Sequence, residues 1–435
     1  MASQPLTAGT YWRLVRSNRN YRRLWLAQIV SELGDWLYVV AIYTLLLELT
    51  GTARSLALAV ILQVLPQFFV APAAGIVNDR ASRRRVMIAA DLARAVIVLA
   101  MLGAARAQMV ALIYVLLFLE TVMWAFFEPG RNAVVPNIAS SEELVAANAL
   151  SSMTWSVNLA LGAGLGGLVA AFFGRDTVFL LNSLSFVVSA LLLRGMKFEE
   201  RHLEGLKPLR ARDVVDFSPV RDGIRYVARD RRLVALLLVK AGLGIFGTNW
   251  VILPVLGERT FPVKMGAVDP RRGAMLGMSA LLACRGIGAF LGPLCGGLWS
   301  GQNRERLRLG ILFGFLLGAL GFAGLSIAPS LGLAMLAVVV ASSGNSLGWV
   351  FSTTLLQFHT DDRFRGRVFS ADCAFLVLSM SIASFLAGQF VDWGVPARTV
   401  ALWTGLLALA PAAVWTFAMR AWNTLESIKP CDSKS

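Results

Sequence analysis

The chain has 435 residues, 57% of them apolar and only 15% charged, and its mean hydropathy is +0.65. Soluble domains carry roughly one quarter charged residues, so this composition excludes a water-soluble globular protein, whose core would have to be larger than a chain of this length can enclose. The net charge of +15 raises nucleic-acid binding as a class, which the placement of the charges then excludes.

In chain order, a polar arm (residues 1–20), without the apolar core of a cleavable signal, precedes the first apolar run. Runs long enough to cross a bilayer, about 20 residues each, follow at 22–48, 54–77, 86–104, 108–127, 145–172, 176–194, 232–256, 274–299, 308–327, 331–352, 367–391 and 398–419. They predict an all-α membrane protein with twelve transmembrane helices. Open strands in lipid would leave backbone groups unpaired, and a barrel would alternate with period two. Most of the 41 Lys and Arg residues fall on the N-terminal arm, the tail and every second connection. This positive-inside pattern puts both termini in the cytoplasm, and it makes the basic residues a topology signal, with no nucleic acid as partner.

Between the second and third runs, Gly75-Ile76-Val77-Asn78-Asp79-Arg80-Ala81-Ser82-Arg83-Arg84-Arg85 crowds charge onto a connection too short to form a domain. It reads as a tight hairpin at the membrane surface. The central connection, 195–231, is the most polar stretch. In it Ser218-Pro219 opens a segment with Val220, Ile224 and Val227 at helical spacing, consistent with an amphipathic helix on the cytoplasmic face or with a solvated linker.

The second half echoes the first. Ala71-Pro72-Ala73-Ala74-Gly75 matches Gly292-Pro293-Leu294-Cys295-Gly296, Trp124 matches Trp349, and Ala147-Asn148 matches Ala371-Asp372. The expected organisation is a six-helix half at 1–194, a basic linker at 195–231, a second six-helix half at 232–420 and a tail at 421–435. Such a repeat suggests a transporter with its site between the halves.

Ionisable groups inside spans cost about 2.5–3.5 kcal/mol each at a helix centre and so call for a reason. Glu32 and Asp35 share one face of the first helix with Gln28, Glu120 lies in the fourth span, Lys240 in the seventh and Arg285 in the eighth. A close carboxylate pair in a low dielectric resists double ionisation and can take and release a proton, which makes Glu32, Asp35 and Glu120 candidates for proton coupling. A fixed salt bridge from Glu32 or Asp35 to Arg285 or Arg94 is the competing reading. Arg285 suits either an anionic substrate group or a structural partner. Trp36, Tyr43, Trp155, Asn158, Asn249 and Trp250 are candidates to line a cavity for an amphipathic molecule, against ordinary packing. Gly162, Gly166 and Gly167 in the fifth span, and Gly288, Gly292 and Pro293 in the eighth, have the small-residue spacing of close helix packing.

Three of the four cysteines lie in spans and Cys431 in the tail, so no disulfide framework is expected. His202 and His359 are far apart and lack companion ligands, so no metal site is expected. No phosphate-cradling Gly-x-x-x-x-Gly-Lys string and no nucleophile–His–carboxylate set is present. An enzyme is therefore not expected, nor a cofactor, and any pumping would draw on an ion gradient.

Twelve spans in two halves, the loop Gly75-x-x-x-Asp79-Arg80-x-x-Arg83-Arg84 and the long basic central connection resemble the major facilitator superfamily. Leu33-Gly34-Asp35-Trp36, Phe127-Glu128-Pro129-Gly130-Arg131, Arg221-Asp222-Gly223-Ile224-Arg225-Tyr226 and Arg365-Gly366-Arg367-Val368-Phe369-Ser370 resemble its bacterial exporter branch, which includes the enterobactin exporter and macrolide efflux permeases. The resemblance implies a secondary transporter in a bacterial plasma membrane, monomeric by the family's habit, exporting a small organic molecule, drug or siderophore-like, in exchange for protons. A lysophospholipid translocator is the alternative, and a transporter-like receptor without flux is the alternative of another class. It further implies a cytoplasmic latch in which Asp79 meets the positive N-terminal end of a neighbouring helix, with Gly75, Arg80, Arg83, Arg84, Asp91, Arg94 and Glu128 around it. Ser82 stands where the family pattern has Gly, and Ala163 replaces the proline of the antiporter motif.

Overall fold

The N-terminal end of the first span shows how the sequence starts and stops its helices. Asn18 accepts a hydrogen bond from Tyr21 N and so caps Arg19–Thr50, and Gly51, at φ +68°, closes it by donating to Leu47 O. Asp230, Asn303 and Ser330 cap the seventh, ninth and tenth spans in the same way. The computed structural model describes residues 8–140, 143–200, 225–228, 230–263, 270–301, 303–360 and 362–427.

Among these residues, 12 helices are long and apolar enough to cross a membrane, one for each run predicted. They are Arg19–Thr50, Ala53–Arg80, Arg83–Arg106, Val110–Ile138, Leu144–Phe173, Arg175–Arg194, Arg231–Arg259, Pro270–Ser300, Arg304–Ile327, Leu331–His359, Asp362–Asp392 and finally Ala397–Leu407 with Leu409–Ser427. The fourth and tenth run past the predicted ends, because hydropathy reports only the stretch that lipid requires to be apolar, whereas a helix continues into water wherever its backbone bonds remain satisfied. A short helix, Ala8–Ser17, precedes the first span and buries Leu14 against Tyr21 and Leu24; the polar composition of the arm hid it. The helix expected over 218–227 lies outside the described residues except for its end at 225–227, as does Cys431.

Two interruptions are built into spans. The seventh passes through a 3₁₀ turn at Ile245–Thr248. Ser384 donates to Gly247 O at 3.0 Å and Ser379 to Ala241 O at 2.6 Å, so side chains serve carbonyls beside the irregular backbone. In the eighth, Pro293 lacks the N–H that would bond Ala289 O, and Ser346 of the tenth span donates to that carbonyl instead, at 2.8 Å.

By contacts the chain forms two compact units, Met1–Asp216 with Gly257–Ala283, and Phe217–Leu256 with Cys284–Ser435. In the first unit, the first span packs on the fifth and sixth, and the third on the fourth and sixth; in the second, the seventh packs on the eleventh and the ninth on the tenth and twelfth. The pairings of first with fifth, third with fourth and third with sixth thus have counterparts six helices later, although Gly257–Ala283 belong to the first unit.

Candidate functional site

In the first unit the packing of the first, third, fourth and sixth spans converges on Arg94. Gly34 lets the first and sixth spans close in, since a Cβ there would stand 2.6 Å from Asn182 Oδ1. Arg94 is 2% exposed. Its Nη2 donates to Asp35 Oδ2 at 2.7 Å and its Nε to Glu120 Oε1 at 2.8 Å, while Nη1 is 3.9 Å from Asp91 Oδ1. The guanidinium lies 4.0 Å over the Phe186 ring, and Asp91 accepts a hydrogen bond from Ser189 Oγ at 2.6 Å.

One cation thus faces three carboxylates. With all three ionised, the cluster carries excess negative charge inside a low-dielectric bundle, where unbalanced charge costs several kcal/mol.

Glu32 belongs to a different network. It accepts from Gln28 Nε2 at 2.9 Å and from Asn158 Nδ2 at 3.2 Å. Ser151 Oγ donates to Gln28 Oε1 at 2.7 Å, Arg131 Nη1 donates to Ser151 Oγ at 2.6 Å, and Arg131 Nε donates to Glu128 Oε2 at 3.0 Å. The close Glu32/Asp35 pair expected from the sequence is therefore not the one that forms. Three positions along a helix differ by about 60° around its axis, enough to aim the two carboxylates at different neighbours. Asp35 meets Glu120 and Asp91 around Arg94 instead. Asp91 and Arg94, grouped with the cytoplasmic loop in the sequence, are turned inward to this cluster. The signal available for them was an i, i+3 Asp and Arg inside an apolar helix.

In the loop itself, Ser82 adopts φ −62° and caps the third span by accepting from Arg85 N at 3.3 Å, so no glycine is required there. Arg83 bonds Asn78 O at 3.2 Å and Ala133 O at 3.0 Å and stands 3.5 Å from Asp79, whose side chain is 75% exposed. Arg84 donates to Met196 O, and Arg80 is exposed. A Cβ at Gly75 would meet nothing within 4 Å.

The aromatic and amide candidates fall into separate places. Trp36 and Trp155 meet edge to face with centroids 5.7 Å apart, and the Tyr43 hydroxyl donates to Gln63 at 3.0 Å. Asn249 lines a small apolar cavity of the second unit with Phe246, Phe322 and Asn345, and Arg285 lies 3.6 Å over the Trp250 ring. The glycines hold helices in contact. Cβ atoms at Gly162 and Gly166 would collide with the first span around Trp36 and Leu37, one at Gly167 with Ser279, and ones at Gly288 and Gly292 with the tenth-span backbone at Val339 and Ser343.

Comparison with known proteins follows the same outline. A family model described as Major Facilitator Superfamily matches residues 24–372. The chain is 26% identical to Macrolide efflux protein A of Streptococcus pyogenes over 389 residues, 88% of this chain and 90% of that protein. It is also 26% identical to the uncharacterized MFS-type transporter YkuC of Bacillus subtilis, over 71% of this chain and 72% of the relative. Among solved structures, a variant of the nucleoside transporter NupG superposes with a TM-score of 0.74 at 9% identity, covering 91% of this chain and 98% of that one, a likeness of fold alone.

Proposed function

The chain belongs to the Major Facilitator Superfamily, a membrane transporter family, and on that premise we propose that it exports a small organic molecule from the cytoplasm in exchange for protons. The observation that carries the coupling is the imbalance around Arg94, one buried guanidinium for Asp35, Glu120 and Asp91. A proton entering there discharges a carboxylate, loosens its hold on Arg94 and so weakens a tie between the first, third and fourth spans. That is a local change able to bias the larger rearrangement of alternating access. Export is supported by the likeness to Macrolide efflux protein A. In this reading both termini face the cytoplasm, the aromatic groups at Trp36 and Trp155 serve the substrate path, and the exposed carboxylate of Asp79 serves the cytoplasmic latch.

The reading is tested by accumulation of fluorescent dyes, macrolides and catecholates in efflux-deficient cells expressing the protein, with and without an uncoupler, beside Asp35→Asn. Lower accumulation that the uncoupler abolishes and the variant lacks supports it. Unchanged accumulation for every compound, with the protein verified in the membrane, refutes export of this class and makes flip of labelled lysolipid the next assay.

A further inference from the structure

The second unit buries an ion pair that the reading above does not use. Lys240, in the seventh span, is 1% exposed, and its ammonium has three N–H groups to place. One donates to Thr353 Oγ1 at 2.8 Å, the Trp349 ring lies 3.9 Å from Nζ, and Asp372 Oδ2 stands 3.4 Å away. Thr353 gives its own hydroxyl proton to Trp349 O at 2.8 Å, which frees its oxygen to accept from Lys240. The lysine charge is thus held by a hydroxyl and a ring face whatever the state of Asp372.

Asp372 is served far less well. It is 6% exposed, its ion-pair contact is the long one to Lys240, and its Oδ1 has no hydrogen-bond partner among the described residues. An ionised carboxylate is acceptor-only with about four lone-pair sites, and buried polar atoms are ordinarily hydrogen-bonded. A buried pair held by one 3.4 Å contact recovers little of the cost of desolvating two charges, so it calls for another reason.

We propose that Asp372 is a second proton-binding site, which takes a proton on Oδ1 while Lys240 stays charged on Thr353 and Trp349. The only bond formed is the carboxyl O–H, the proton comes from water, and the pair passes from neutral to a single positive charge. Among the described residues, the titratable groups that face Asp372 are Lys240 and Cys373. With the Arg94 cluster, each unit then carries one site, and a transport cycle can move more than one proton. That consequence rests on the proposed proton coupling; the existence of the site does not.

The test is an infrared pH titration of the purified full-length protein, following the carbonyl band of protonated carboxyl groups, for wild type, Asp372→Asn and Asp35→Asn. A band that titrates, is lost in Asp372→Asn and persists in Asp35→Asn is the expected result. If Asp372→Asn leaves the spectrum of the wild type unchanged at every pH at which the protein is folded, the site is overturned, whatever happens in Asp35→Asn. Because the single variant strands Lys240, the double variant Lys240→Met/Asp372→Leu, an apolar replacement of similar volume, provides a second measurement. It is expected to fold and to lack the band; a titrating band that persists in it unchanged reduces the pair to a structural tie.

Discussion

Arg94 Nη2 and Asp35 Oδ2 lie 2.7 Å apart, joining the third span to the first where the arginine is 2% exposed. The same guanidinium reaches Glu120 through Nε and Nη2 and approaches Asp91 through Nη1. A planar fork with fixed donors is what this geometry needs, and the point charge of a lysine would not supply it.

Removing the cation is accordingly the most damaging change at the cluster. Arg94→Met strands three carboxylates, and breaking a buried pair from one side costs about 3–5 kcal/mol. Arg94→Lys should recover little of that, whereas Asp35→Asn leaves Arg94 its bonds to Glu120. Thermal unfolding of the purified proteins should rank wild type first, Asp35→Asn next and Arg94→Met last.

The fifth span offers a controlled contrast between two glycines. A Cβ at Gly166 would run into the Leu37 backbone, while one at Gly164 would stand 3.6 Å from Ala283 Cβ, an ordinary contact. Gly166→Ala should therefore destabilise by about 1–3 kcal/mol through overpacking. Gly164→Ala should be neutral, or gain up to about 1 kcal/mol from helix propensity. Unfolding midpoints of the two variants check the difference.

Ser346 and Pro293 should be coupled through the Ala289 carbonyl. Ser346→Ala removes the donor that the proline makes necessary, at a cost of about 1 kcal/mol. In a Pro293→Ala background the restored backbone N–H should make the serine nearly dispensable. A double-mutant cycle on unfolding free energy reads the coupling directly.

Much of this was legible beforehand. The twelve spans follow from hydropathy because lipid permits little else, and Asp35 and Glu120 stood out as charges that lipid would not tolerate. What stayed open was the choice among partners across helices. The salt bridge from Asp35 to Arg94 was among the alternatives read from the sequence, but nothing in the spacing of Glu32 and Asp35 selects it over Arg285 or over a carboxylate pair, since that depends on where the fifth and sixth spans pack against the first. The Lys240–Asp372 pair was invisible for the same reason, its members lying 132 positions apart with a lone aspartate near a helix start giving no signal.

Asp79 separates stability from turnover. Its pair with Arg83 is 3.5 Å long and its side chain is 75% exposed, so Asp79→Asn should move folding stability by less than about 1 kcal/mol. Export should nevertheless fall several-fold if the exposed carboxylate serves the latch. Equal membrane insertion with reduced export is the expected pair of observations, and equal export would remove the latch role.

The most direct test of proton-coupled export uses inside-out vesicles energised to an acid interior and loaded with a pH-reporting dye. Adding a compound that the cellular assay identifies as exported should partly collapse the gradient with wild-type protein and leave it intact with Asp35→Asn. Uptake of that compound into wild-type vesicles with no change in the pH signal, and with no effect of the variant, would contradict the account.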